Sequence, residues 1–302
     1  LLMTGIAMSP CNDFLDKLPD NRTELDTEQK IAKLLVSAYP QGTANALFEL
    51  YSDNTDDNGT RAPYYKIAEE DCYNWKDTQE EYQDTPNYLW ETYYAAIAAS
   101  NMVLDAIQQR GNPASLAPQQ GEALICRAYS HFMLANIFCN AYNSHAGQEL
   151  GIPYMEEVET TVLPQYKRGT LEEVYQKIER DLLASLPLIS DDSYSVPKYH
   201  FTKKAAYAFA ARFYLYYMQP DFSNCDKVID YATRVLGSDA SNQLRDWESW
   251  GKLTANDNVQ PDAYIASTNK ANLLISSTVS NWGILISNYM TGKRYMHNKL
   301  IA

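Results

Sequence analysis

Basic residues are the minority in this chain of 302: 25 lysines and arginines stand against 38 aspartates and glutamates, a formal net charge of −13. A surface of that sign repels a phosphate backbone and an anionic bilayer, which excludes nucleic acid as a partner class. Histidine is scarce as well. There are 4, His131, His145, His200 and His297, and no two are spaced as a metal pair or set beside a nucleophile. His131 falls within a core-forming helical run and reads as a structural residue. Neither a P-loop nor a dinucleotide fingerprint is present. No run approaches the ~20 apolar residues that a membrane-spanning helix needs. Cys72, Cys126, Cys139 and Cys225 form no C-x2-C pair, which argues against a zinc knuckle; disulfides among them stay open in an exported protein. The sequence calls for no cofactor and names no catalytic residue. Carboxylate pairs at glycosidase spacing can always be imagined among 38 acidic residues, so their presence decides nothing.

What the chain does have is tyrosine, 24 of them, with 5 tryptophans. These side chains offer a rigid flat face with a polar edge. At the start, residues 1–10, LLMTGIAMSP, are apolar and uncharged and lead into Cys11, followed by polar sequence. That pattern reads as the remnant of an export signal, with Cys11 as a lipidation site and residues 11–25 as a tether. Membrane attachment is then through the lipid alone.

Helical periodicity organises the stretch 26–237. Thr27 caps a run in which Ile31, Leu34, Leu35 and Ala38 share one face, ended by Pro40. Residues 52–85 are polar and without sustained period, and a loop of that length is more often functional than idle. Trp90, Tyr94, Ile97, Asn101 and Leu104 then recur every three or four residues and predict a helix. Gly111, Pro113 and Pro118 separate it from a second long helix of opposite direction, in which Ala128, Phe132 and Ala135 reproduce the A-x3-F-x2-A core of a tetratricopeptide second helix. A second pair follows: Thr170 caps the stripe Leu171, Val174, Tyr175, Ile178 and Leu182, and its expected partner carries Ala206, Ala210, Phe213, Tyr214 and Tyr217. A third unit begins at Cys225 and ends at Gly237. The predicted fold is mainly α, a tetratricopeptide-like solenoid of helical pairs with a long irregular loop. Residues 238–302 lose the period and read as irregular or partly β.

Five segments in succession, CNDFLDKLPDNRTEL, LWETYYAAIAASNMVLDAI, GEALICRAYSHFMLANIF, RGTLEEVYQKIERDL and TKKAAYAFAARFYLY, resemble the SusD/RagB family of outer-membrane nutrient-uptake lipoproteins. The resemblance spans residues 11–237. It implies a helical scaffold over 26–237 that carries a less regular ligand-binding part, an oligosaccharide ligand, a SusC-type TonB-dependent transporter as partner, a location at the outer membrane, and no catalysis. Family members continue into a longer C-terminal section, and residues 238–302 look like the start of that section, truncated as in a fragment or in an abbreviated member.

A sugar ring has an apolar C–H face and an edge of hydroxyls, so its binder needs flat aromatics and fixed carboxylates or amides. The polar loop holds both: Asp53, Asn54, Asp56 and Asp57, then Tyr64 and Tyr65, then Tyr73 and Trp75. Late in the chain Trp282 and Tyr289 fall where the resemblance places a second wall. Asn54, Asp56, Asn58 and Gly59 also fit the opening of an EF-hand loop, but Tyr65 stands where the bidentate glutamate is required, which rules the EF-hand out. Two other classes compete with a glycan binder, an all-helical glycoside hydrolase and a tetratricopeptide adaptor with protein partners only.

Overall fold

The computed structural model describes residues 25–161, 164–254, 259–281 and 293–297. The leader 1–10, Cys11, most of the tether, Trp282 and Tyr289 lie outside the described residues.

The chain opens with α1 (Glu28–Leu34), capped by the Thr27 hydroxyl, which accepts from the Lys30 N–H; the helix then tightens into a 3-10 turn over Leu35–Ala38. α2 (Asn45–Leu50), a short strand β1 (Thr55–Asp57) and α3 (Ile67–Tyr73) follow. The stretch 52–85 is therefore not wholly irregular. Its short elements escape a periodicity reading because each is brief and is held from outside itself: β1 pairs with a strand more than two hundred residues away, and α3 is tied through its buried Glu69 to Lys293.

Two long helices come next. In α4 (Pro86–Gln109) Thr85 caps the first turn and Pro86 sits where no N–H is needed. The chain reverses through Gly111 and Asn112, both at positive φ, into α5 (Ala117–Phe138). Ala128, Phe132 and Ala135 are all buried on α5. Phe132 sits edge-on to Phe209 and Phe213, and burial of a ring this size is worth ~1.5–3 kcal/mol. α6 (Leu171–Ser185) starts at a reciprocal cap between Thr170 and Glu173 and buries the whole predicted stripe. α7 (Lys203–Tyr216) is capped by Thr202, and α8 (Cys225–Leu236) stops at Gly237, whose φ of 68° suits a residue without Cβ.

The fold is mainly helical, as expected, but the pairing differs in one detail. Backbones approach most closely between α4 and α5, between α5 and α6, and between α7 and α8. α6 meets its expected partner α7 across a layer of rings instead. Tyr175 stacks on Phe213 at 5.9 Å, and the Tyr214 hydroxyl donates to Glu179 at 2.7 Å. Large aromatics hold these two helices apart, whereas small residues let others close in. Gly121 on α5 is one such point, because a Cβ there would lie 2.8 Å from the Leu188 Cβ.

Beyond Gly237 come α9 (Trp247–Gly251), α10 (Val259–Ile265) and extended chain. That chain is tied to the helical body: the Ile275 N–H donates to the Lys198 carbonyl, and the Val279 N–H to the Gln41 carbonyl. β2 (Tyr295–His297) runs antiparallel to β1, with Asp57 opposite Tyr295. Among the described residues Cys72, Cys126, Cys139 and Cys225 are unpaired thiols. No described helix is long and apolar enough to cross a membrane.

Candidate functional site

The acidic and aromatic residues of the polar loop gather around residues 293–297. The Asp57 carboxylate takes two hydrogen bonds from the Arg294 guanidinium, at 2.8 and 3.0 Å, and a third from the Gly59 N–H. These donors, Arg294 foremost, hold Asp57 below the usual carboxylate range. Arg294 also reaches Glu70 at 3.0 Å and lies 5.1 Å from the centre of the Tyr65 ring. Tyr295 is fully buried against Tyr73, with ring centres 4.9 Å apart, and edge-on to Tyr65 at 6.0 Å. Beneath them Lys293 and Glu69 form a buried ion pair at 2.8 Å. Tyr64 bridges Lys293 through the backbone, and its own ring is exposed.

Asn54 donates to Glu49 at 3.0 Å, and the same Glu49 oxygen lies 3.1 Å from His297 Nε2. Asp53 and Asp56 are exposed at the rim. Asn54, Asp57, Tyr64, Tyr65 and Tyr73 thus help to bind the chain to itself as well as lining this face. Among the described residues no group of His, Cys, Asp and Glu has the arrangement of a metal site.

Trp75 is placed differently. It follows the end of α3 with φ at 55°, a left-handed conformation that a bulky side chain rarely adopts. Its N–H closes the helix end by donating to the Cys72 carbonyl, and the Lys76 N–H donates to the Asp71 carbonyl. The turn projects the indole outward, 74% exposed, with one face stacked on Tyr51 at 4.6 Å. Burial and the neighbouring Cys72 raise the Tyr51 hydroxyl to about 12, so this support is a neutral ring. The opposite indole face is open to a ligand.

A second concavity lies on the outer side of α4, where sequence reading placed no site. Residues 151–161 cross the helices as an extended strap, held by a buried polar network. Arg127 clasps Asp181 at 2.6 and 3.0 Å and donates to the Asn101 carbonyl oxygen at 3.0 Å and to the Glu156 backbone carbonyl at 3.2 Å. Burial pushes Asp181 up, but Arg127, Tyr154 and Arg180 together bring it below its ordinary value. Asn101 donates to the carbonyls of Met155 and Glu157, and the Tyr94 hydroxyl donates to that of Pro153. Between strap and helix is a cavity of about 540 Å³ bordered by Trp90, Tyr94, Met102, Glu157, Glu159 and Tyr166. Trp90 and Tyr94 therefore face this space, although their recurrence in sequence marks only the helix that carries them.

The geometry defines a class: a helical-repeat scaffold that presents an aromatic and acidic loop face beside its long helices. Residues 13–215 match the sequence profile of the SusD-like family, described as starch-binding and associating with the outer membrane. The chain belongs to that family. Its fold resembles a putative sugar-binding protein from Bacteroides vulgatus (TM-score 0.62, 20% identity, 85% of this chain and 54% of that one). It also resembles a SusD superfamily protein from Bacteroides thetaiotaomicron (TM-score 0.59, 18% identity, 76% and 50%) and a laminarin-binding SusD-like protein (TM-score 0.51, 19% identity, 76% and 50%). The chain spans about half the length of these solved structures. No curated protein sequence matches it.

Proposed function

We propose that this chain is a glycan-binding lipoprotein of the cell surface, lipid-anchored at Cys11, that captures oligosaccharide and passes it to a SusC-type TonB-dependent transporter without chemical change. Support for capture rests on one observation, the Trp75 indole, fixed by the Tyr51 stack and open on its other face. A ring held in place loses little freedom when a sugar stacks on it, so the contact adds affinity efficiently. Elsewhere on the same loop Tyr64 and Tyr65 are proposed to supply further ring surface, and Asp53 and Asp56 acceptors for hydroxyls. Trp282 and Tyr289 are proposed as a second wall. The domain layout follows the same reading, with residues 26–237 as the scaffold and 238–302 as a less regular part proposed to contribute to the ligand face. The family description names starch, and one structural neighbour binds laminarin, so α-linked and β-linked gluco-oligosaccharides are the first probes.

The test is calorimetric titration with maltohexaose and laminarihexaose, repeated on Trp75→Ala. Binding to either sugar, weakened about tenfold by the substitution, with no reducing ends released on long incubation, is the expected result. Release of reducing ends that a single Asp or Glu substitution abolishes would establish a hydrolase instead. Membrane fractionation of Cys11→Ala tests the anchor, and co-purification with the transporter tests the partner.

A further inference from the structure

We infer that the cavity between α4 and the 151–161 strap is a second binding site, separate from the glycan face, for a small organic cation with an apolar body. The chemistry of its wall selects that class. Trp90 and Tyr94 present two ring faces, centres 4.8 Å apart and tilted by 52°, and Tyr166 adds a third ring. Rings in this arrangement attract a cation through their electron-rich faces. Met102 and Met155, with Ala95, Ala98 and Val158, supply the apolar surface.

Charge in the wall is of one sign. Along the extended strap Glu156 turns to α6, where Lys177 and Arg180 meet it at 2.7 and 2.6 Å, while Glu157 and Glu159 border the cavity. No lysine, arginine or histidine is among the described lining residues, so none of those residues gives Glu157 or Glu159 a counter-charge, and Glu159 takes only the Tyr166 hydroxyl. An ammonium would supply that counter-charge.

A polyol fits less well. Sugar recognition needs donors as well as acceptors, and the donors here are already engaged within the protein. Asn101 holds Met155 and Glu157 carbonyls, the Tyr94 hydroxyl holds Pro153, and the Tyr166 hydroxyl holds Glu159. Among the described lining residues that leaves the Trp90 indole N–H as the remaining side-chain donor. The volume, about 540 Å³, is in the range of small-molecule sites.

The experiment uses three probes of nearly equal shape and different charge: phenethylammonium, 2-phenylethanol and phenylacetate, titrated calorimetrically into the full chain. Phenethylammonium is expected to bind about tenfold more tightly than the alcohol, and phenylacetate to give no binding heat. Trp90→Leu and the double change Glu157→Gln with Glu159→Gln should each weaken the cation about tenfold, and Trp75→Ala should leave it unchanged. The glutamates are exposed, so the double variant stays informative even if Trp90→Leu disturbs folding. The inference is overturned if the three probes bind within about threefold of one another, if none binds, if the double variant binds as before, or if maltohexaose displaces the cation. Failure of the glycan face would appear separately, as loss of oligosaccharide binding with the cation response intact.

Discussion

The His131 and Tyr154 rings lie face to face, centres 3.7 Å apart and 14° from parallel, and the imidazole joins the strap to α5 at both nitrogens. Nε2 accepts from the Met155 N–H at 3.0 Å, which places the proton on Nδ1, where it is donated to the Arg127 carbonyl at 2.9 Å. The Met155 bond requires the neutral ring, because a protonated Nε2 cannot accept, whereas the Arg127 bond persists in either state. Burial lowers the His131 value to about 3, so the group that sequence suggested was structural is one that folding keeps uncharged.

Stability should therefore depend on pH through this residue. Its value is depressed in the folded state, so the unfolded chain binds the extra proton between about pH 6.5 and 3. The contribution is complete above the unfolded value near 6.5 and is lost as pH falls toward 3. Across that window the slope attributable to His131 reaches ~1.4 kcal/mol per pH unit. His131→Phe is expected to be less stable at pH 7, because the Met155 N–H loses its acceptor at ~1–3 kcal/mol, but to have a flatter profile. Urea midpoints measured from pH 7.5 to 4.5 check this, and parallel profiles for the two proteins would contradict it.

The Arg127–Asp181 pair beneath the strap should respond unevenly to single and double changes. Both side chains are buried, and removing one partner of such a pair costs up to ~3–5 kcal/mol, here eased on the Asp181 side by Arg180 and Tyr154, which stay bonded to it. Arg127→Ala is expected to fall within that limit and to release the strap, since Asn101 and the Glu156 carbonyl lose their donor as well. Arg127→Met combined with Asp181→Leu should recover much of the loss, because neither charge then remains to be desolvated. Denaturant melts of the singles and the double close the cycle.

Local signals made the helices legible in advance. Caps at Thr27 and Thr170, the stop at Gly237 and the stripes of α6 and α7 are contained in runs of a few residues, and each appears where those runs place it. The recurrence of Trp90 and Tyr94 revealed α4 but not which of its sides is buried. Leu89 and Tyr93, one position earlier, face the core, and the strap that encloses the other side has no period to read. Long-range pairing was equally hidden: nothing near Asp57 announces Arg294, and nothing near Glu69 announces Lys293. Loop residues that look like free ligand groups in sequence are partly engaged for that reason.

Trp75 offers a test of strain against support. Alanine at this position keeps the left-handed backbone conformation and loses the stack on Tyr51, whereas glycine loses the stack but adopts that conformation freely. Trp75→Gly should therefore be more stable than Trp75→Ala by ~1 kcal/mol, although both remove the same ring from the proposed glycan face. Thermal melts separate the two, and oligosaccharide titration should not. Equal stability would mean that the backbone there relaxes when the indole is gone.

Two of the ion pairs that hold residues 293–297 differ in burial, and so should their substitutions. Asp57 and Arg294 are partly open to solvent, and an exposed pair contributes ~0–1 kcal/mol; Asp57→Asn is expected to cost no more than that. Glu69 and Lys293 are enclosed. Glu69→Gln keeps an oxygen for the Lys66 N–H, so α3 retains its start, but it leaves the Lys293 ammonium buried without a counter-charge, at ~3–5 kcal/mol. The cost is relieved if β2 detaches and carries Lys293 into water. Glu69→Gln should accordingly lose amide exchange protection along Thr55–Asp57 and Tyr295–His297 while α4 and α5 keep theirs, and Asp57→Asn should leave all four segments protected. Uniform loss of protection in Glu69→Gln would show instead that this clasp and the helical pair unfold as a single unit.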